Sequence, residues 1–270
     1  YIYSQTKINK SLKIKNNFKI EYNEKNFTKI LSKKFDLIYF FSGNSNQETS
    51  REDIYYDLDK TFNKFVNLLE AVRKSKFNPT IWFASSVVVY GANNNPLKEN
   101  FDRKPISYYA ITKYLCESIS NFYSNKFKVN IGILRIFSTF GPGLKRQVIF
   151  DTIKKIKTKN NFTMFGSGEE KRDFGYVEDQ IKSIILLSKK IKKPSGDIYN
   201  IASGKAYSIK DIVNKLVKIS KKKVTYSFNQ KSRSFDNKQY IADKSKLNKT
   251  IGFKKYMDIN KALKKTFDSY

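Results

Sequence analysis

Residues 80–91, TIWFASSVVVYG, run apolar for most of their length and end in Tyr-Gly, with Ser85 and Ser86 at their centre. A short apolar run closed by turn residues reads as a strand buried on both faces, the kind that parallel sheets use. The same grammar extends outward on both sides. Before it, 36-DLIYFFSG-43 is another such strand, and 57-DLDKTFNKFVNLLEAVRKS-75 carries apolar residues at helical spacing with basic residues near its end. After it, 107-SYYAITKYLCESISNFYSNK-126 reads as a helix, and 130-NIGILRIFSTFGPG-143 as a third strand that breaks at Gly-Pro-Gly. Strand, helix, strand, helix, strand predicts an α/β fold built on a doubly wound parallel sheet.

The later chain mixes element types. Residues 146–158 and 178–191 read as helices, 197–204 as a strand with a turn, and 208–220 as an amphipathic helix with Ser208 as its N-cap. No internal repeat and no Gly/Ser linker marks a boundary. The expected second domain is therefore smaller and interleaved with the first.

Composition narrows the chemistry. The 270 residues are 40% hydrophobic and 15% aromatic, enough to bury a core. No apolar run reaches the roughly 18 residues of a membrane helix, so no membrane partner is expected. The formal net charge is +29, but the lysines are spread along the chain, as in KTKNN, SKKIKKP and SKKKVT. That distribution reads as a solvated lysine coat rather than a nucleic-acid surface, while still favouring anionic ligands. There is no histidine, which removes imidazole bases, Ser-His-Asp triads and His-based zinc sites. The single cysteine, Cys116, allows neither an internal disulfide nor a thiolate metal cluster. It reads as a packing residue, no metal is expected, and the expected compartment is the cytoplasm. Any proton chemistry must then rest on Tyr, Lys, Ser and carboxylates.

Tyr109 and Lys113 stand four apart at the start of the 107–126 helix. The spacing by itself is uninformative, because Tyr3/Lys7, Tyr56/Lys60 and Tyr240/Lys244 share it. Context distinguishes Tyr109: it alone follows an SSxxxYG strand end and opens the helix after it. Together with DLIYFFSG, LLEAV, ASSVVVYG, YAITK, LRIFSTFGPG, FGSGEEKRDFGYVED, YNIASG and RSFD in this order, the chain resembles the extended short-chain dehydrogenase/reductase family of nucleotide-sugar epimerases and dehydratases. The resemblance covers nearly the whole sequence.

That resemblance implies a Rossmann-like domain over residues 1–140 and 173–204, and a nucleotide-sugar domain over 141–172 and 205–270. It implies NAD or NADP as cofactor, with NAD the family's more frequent choice, held by Phe41, Ser42, Gly43, Thr61, Tyr109 and Lys113. It assigns catalysis to Ser86, Tyr109 and Lys113. A free phenol titrates near pH 10; a lysine charge at about 4 Å, in an effective dielectric of about 20, favours the phenolate by roughly 4 kcal/mol before screening. Tyr109 could then remove a hydroxyl proton while Ser86 holds the reacting oxygen. Substrate contacts are implied for Ser138, Lys145, Gln147, Arg172, Arg233 and Asp236, the arginines suiting a diphosphate by their fixed fork of donors. The family's dehydratases carry Asp-Glu directly after the catalytic Ser/Thr. Val87 and Val88 stand there and cannot act as acid or base, which disfavours a 4,6-dehydratase.

Some features depart from the family. The first glycine is Gly43, and no glycine triplet has phosphate-loop spacing. YIYSQTK looks like the end of the family's second strand, so the first strand, glycine-rich loop and first helix are expected to be missing, with weak dinucleotide binding. Ser4, Gln5, Thr6 and Lys7 replace the acid that NAD users place after that strand, a lean toward NADP. Thr61 and Ser138 stand where asparagine is frequent. The expected activity is a nucleotide-sugar epimerase, similar to UDP-glucose 4-epimerase, working through a keto-sugar. The alternatives are an NAD(P)H-dependent reductase of a nucleotide 4-keto-deoxysugar and a non-catalytic dinucleotide-binding protein. A homodimer through the 57–75 and 107–126 helices is a further family expectation.

Overall fold

The computed structural model describes residues 2–4, 17–45, 47, 53–93, 96–232, 237–253 and 256–270. Two compact units emerge: Tyr1–Val89, Pro105–Leu134 and Lys192–Ile198 form one, and Tyr90–Lys104, Arg135–Ile191 and Tyr199–Tyr270 form the other.

In the first unit, β1 (Ile2–Ser4) pairs in parallel with β2 (Asn17–Lys19). Helix α1 (Glu24–Leu31) follows, opened by Asn23, whose side chain accepts from the Asn26 amide at 2.9 Å. Then come β3 (Leu37–Phe40), α2 (Ile54–Asp57), a π-helical turn (Leu58–Asn63), α3 (Lys64–Lys74), β4 (Thr80–Ser86), α4 (Tyr108–Phe127) and β5 (Ile131–Ile136). A four-stranded sheet has the order β3-β4-β5 and then a later strand, Ser195–Ile201, with β3 and β4 parallel and Leu37 opposite Thr80. Phe40, Phe65, Leu68, Leu69, Ile81, Phe83 and Ile131 form its core. The Phe65 and Phe83 rings stack with centroids 4.4 Å apart. Gly132 is required by this packing, since a Cβ there would lie 2.2 Å from the Trp82 ring. The predicted helix over 57–75 is longer and less regular than its spacing suggested. It starts at Ile54 behind Asp53, whose side chain accepts from Tyr55 N, and it passes through the π turn.

In the second unit the named elements are β6 (Ser138–Phe140), α5 (Gln147–Thr158), β7 (Asn161–Met164), β8 (Lys171–Tyr176), α6 (Val177–Lys190), β9 (the Ser195–Ile201 strand, shared in sequence with the first unit), β10 (Ala206–Ser208), α7 (Ile209–Ser220), β11 (Thr225–Phe228), β12 (Gln239–Tyr240), α8 (Ser245–Ile251) and α9 (Ile259–Asp268). Strand β8 is the hub: β10 pairs with it antiparallel, and β12 and β6 parallel. Strands β7 and β11 form a parallel pair. Ser208 does cap α7, in a reciprocal capping box with Asp211. Phe140, Ile153, Phe162, Phe174, Ile212, Leu216 and Leu263 fill this unit's core. No helix among the described residues is long and apolar enough to cross a membrane.

Candidate active site

Strand β4 ends at Ser86 because the chain then tightens into a 3₁₀ turn over Val87–Tyr90. The Val88 amide points at Ser86 Oγ from 3.5 Å, too far to hold the hydroxyl, and Ser86 is half-buried. Val87 and Val88 are each 6% exposed, so the two positions after Ser86 are apolar and packed away.

Helix α4 starts one residue before Tyr109 because Ser107 caps it, its Oγ accepting from the Ala110 amide at 3.2 Å. Tyr109 is therefore fixed in the first turn, half-buried. Lys113, one turn on, points inward and is 4% exposed. Its Nζ donates to the Ala84 carbonyl at 2.8 Å, two residues before Ser86, and lies 5.8 Å from the centroid of the Tyr109 ring and 5.0 Å from that of Phe83. One ammonium thus joins the end of β4 to the start of α4, with Lys113 Nζ reaching the Tyr109 ring and Ala84 O, two residues before Ser86 on the strand.

Burial pushes the Lys113 ammonium below the usual lysine range, opposed by Cys116, Asp57 and Glu117. Burial also pushes the Cys116 thiol up to about 12, so at pH 7 it is neutral and supplies no counter-charge. That leaves Asp57 and Glu117, both 0% exposed, as the anions acting on Lys113. Glu117 Oε1 accepts from Ser85 Oγ at 2.6 Å, a second tie between α4 and β4. Neither carboxylate was picked out from the sequence. Glu117 had a visible signal, since it follows Lys113 by four on one helix face; Asp57 had none.

At the end of β3, Phe41 is 51% exposed, Ser42 hydrogen-bonds the Tyr22 hydroxyl, and Gly43 has φ +130°. A Cβ on Gly43 would lie 2.8 Å from Thr61 Oγ1, so only glycine lets this loop close on the helix. Thr61 Oγ1 in turn accepts from the Asn44 amide at 2.9 Å.

In the second unit, Arg172 lies on β8 opposite Tyr207 of β10 and Tyr240 of β12. Its guanidinium is 5.1 Å from the Tyr240 ring centroid and donates to the Lys171 carbonyl at 2.9 Å. The next residue, Asp173, faces the other way and is buried, accepting from Ser203 N, Ser203 Oγ and Gly204 N. Ser138 is half-buried and opposite Phe174, while Lys145 and Gln147 are exposed. Gln147 has φ +67°, an unfavourable left-handed conformation for a non-glycine residue. Arg233 and Asp236 lie outside the described residues. Among the described residues no group of three His, Cys, Asp or Glu could hold a metal ion.

A parallel α/β unit with a serine at a strand end and a Tyr-Lys pair on the following helix defines the class. The chain belongs to the NAD dependent epimerase/dehydratase family, whose sequence model matches residues 4–202. It is 34% identical over 167 residues to YtcB of Bacillus subtilis strain 168, an uncharacterized UDP-glucose epimerase, covering 61% of this chain and 52% of that protein. It is 29% identical over 221 residues to a UDP-glucuronate 4-epimerase of Thermodesulfobacterium geofontis, covering 80% and 67%. The chain thus spans about half the length of the first of these relatives. Among solved structures, UDP-glucuronic acid 4-epimerase from Bacillus cereus, in complex with UDP-glucuronic acid and NAD, superposes with a TM-score of 0.86 at 28% identity, covering 94% of this chain and 81% of that one.

Proposed function

We propose that this chain is an NAD-dependent epimerase of UDP-sugars, acting at the sugar's C4 through a keto-sugar. The observation that carries the reading is the buried Lys113 ammonium tied to Ala84 O beside the Tyr109 ring. The similarity to UDP-sugar 4-epimerases supports the substrate class.

The described residues fit part of a dinucleotide site, with no glycine-rich phosphate loop among them. Gly43 lies in a loop pressed on Thr61, with the exposed Phe41 ring beside it, and Lys113 offers a cation under Tyr109. Phe41, Ser42, Gly43, Thr61, Tyr109 and Lys113 would hold it, and a bound nicotinamide would supply a reversible hydride acceptor. Tyr109 takes the proton from the sugar's C4 hydroxyl and returns it after the keto-sugar turns over. Lys113 favours the phenolate that this requires. Ser86 donates to the same oxygen and holds it against Tyr109. Arg172 and Arg233 bind the diphosphate, Asp236 the ribose, and Ser138, Lys145 and Gln147 contact the sugar. Residues 1–140 with 173–204 serve the dinucleotide, and 141–172 with 205–270 the nucleotide sugar. The protein works in the cytoplasm as a homodimer through α2–α3 and α4, where Tyr55 and Phe122 are exposed.

The test is incubation of the protein with NAD and, separately, UDP-glucuronic acid or UDP-glucose. Sugar protons are followed by NMR and the reduced nicotinamide by absorbance. The 4-epimer should accumulate without net reduction of NAD. Stoichiometric NADH, or no change on either substrate, would refute the reading.

A further inference from the structure

We propose that Asp57 is a positioning residue of this site: one carboxylate oxygen grips the loop after β3, and the charge as a whole keeps the buried Lys113 an ammonium. The role in turnover rests on the epimerase reading; the electrostatic coupling does not.

The argument starts from an irregularity. The helix that begins at Ile54 does not stay α-helical; from Leu58 to Asn63 its turns are π-helical. Such turns cost hydrogen-bond geometry and tend to occur at functional sites. Asp57 stands at the junction. It and Thr61 both seize Asn44: Asn44 Nδ2 donates to Asp57 Oδ1 at 2.6 Å, and the Asn44 amide donates to Thr61 Oγ1. The segment just past Gly43 is thereby clamped at two points.

The other oxygen carries the inference. Asp57 is 0% exposed, and Oδ2 has no hydrogen-bond partner among the described residues. A desolvated carboxylate oxygen in that condition is costly unless a cation stands close by. Helix α2 and the π turn pack on α4, and Lys113 is the cation that α4 buries. Its Nζ carries three donors, of which one goes to Ala84 O. The Asp57 carboxylate therefore acts on the Lys113 charge through space, from the helix packed against α4. The groups acting on Lys113 are Tyr109, Cys116 and Glu117 from its own helix, the Phe83 ring and Ala84 carbonyl from β4, and Asp57 from α2. Cys116 is neutral, and Glu117 is engaged by Ser85. Asp57 is the anion with an uncommitted oxygen.

The sign of one measurement separates this role from a merely structural one. The full chain, free of substrate and cofactor, is labelled with ¹³C at the ζ carbon of its 18 tyrosines and titrated by NMR. The signal missing in Tyr109→Phe identifies Tyr109. If Asp57 sustains the Lys113 charge, Asp57→Asn removes that charge at lower pH, and the Tyr109 midpoint rises by about one pH unit or more. If Lys113 stays charged without it, losing a nearby anion leaves the midpoint unmoved or lower, and the proposal is overturned. Asp57→Glu keeps the charge and should keep the midpoint within about half a unit; a rise there equally overturns it, and this variant decides the matter should Asp57→Asn not fold. With NAD and UDP-glucuronic acid at pH 7, Asp57→Asn should lower kcat about tenfold, leave KM within about twofold, and recover as pH rises. Failure of every UDP-sugar to turn over would sink the epimerase reading while leaving the NMR titration to judge Asp57.

Discussion

Lys113 Nζ donates to the backbone carbonyl of Ala84 at 2.8 Å, so this buried cation is anchored to the strand that ends in Ser86. A carbonyl cannot ionise, and from this tie Lys113 Nζ lies 5.8 Å from the centroid of the Tyr109 ring.

Removing the phenol tests the division of labour. Tyr109→Phe should lower kcat by about 10² to 10⁴, the usual contribution of a general acid/base. Calorimetry should find UDP-sugar affinity within about threefold of wild type, because in the proposed reaction the hydroxyl acts only on the reacting proton. Turnover within a few-fold of wild type would place the acid/base elsewhere.

Arg172 should behave in the opposite way. A charge-assisted hydrogen bond to a diphosphate is worth about 1.5–3 kcal/mol, so Arg172→Ala should raise KM tenfold or more with little change in kcat. An unchanged KM would remove Arg172 from the site and leave it as the residue packed on Tyr240.

The Ser85–Glu117 pair is buried on both sides. Ser85→Ala strips a donor from a desolvated carboxylate and should cost about 1.5–3 kcal/mol in urea unfolding. A loss below about 0.5 kcal/mol would mean that Glu117 is satisfied without it.

Glu70 predicts an acid-stability limb. Hydrogen bonds from Arg73, then from Tyr123, hold its carboxyl down at about 2. Its folded value lies below the unfolded one, so its stabilisation is present above about pH 4.5. It fades as pH falls toward 2. Glu70→Gln should lower Tm at pH 6 and flatten its decline between about pH 4.5 and 2; parallel curves for mutant and wild type would contradict the assignment.

Cys116 should be inert. Burial and a thiol pushed up to about 12 predict negligible reaction with a disulfide reagent at pH 8 in the native state and one equivalent on denaturation. Rapid native labelling would show that α4 opens.

Much of this molecule was written in its residue order. The apolar runs at 80–91 and 130–143 announced buried strands, because a strand covered on both faces has no polar side; 36–43 does form a strand parallel to β4, but Leu37 and Tyr39 are exposed, so it is not covered on both faces. The SSxxxYG and YAITK segments located Ser86, Tyr109 and Lys113, because both depend on short, local spacings. Ser208 was legible as a cap for the same reason. Asp57 was not. Its hydrogen-bond partner Asn44 is 13 residues away, and Lys113, on which its charge acts, is 56 residues away, so no local spacing connects them. The burial of Lys113, which turns a common surface residue into a tuned cation, likewise depends on packing between α4, α2 and β4. Local spacing along the chain determined which residues stand as candidates for the reaction; the charge state of Lys113 is decided by the long-range contacts that exclude water around it.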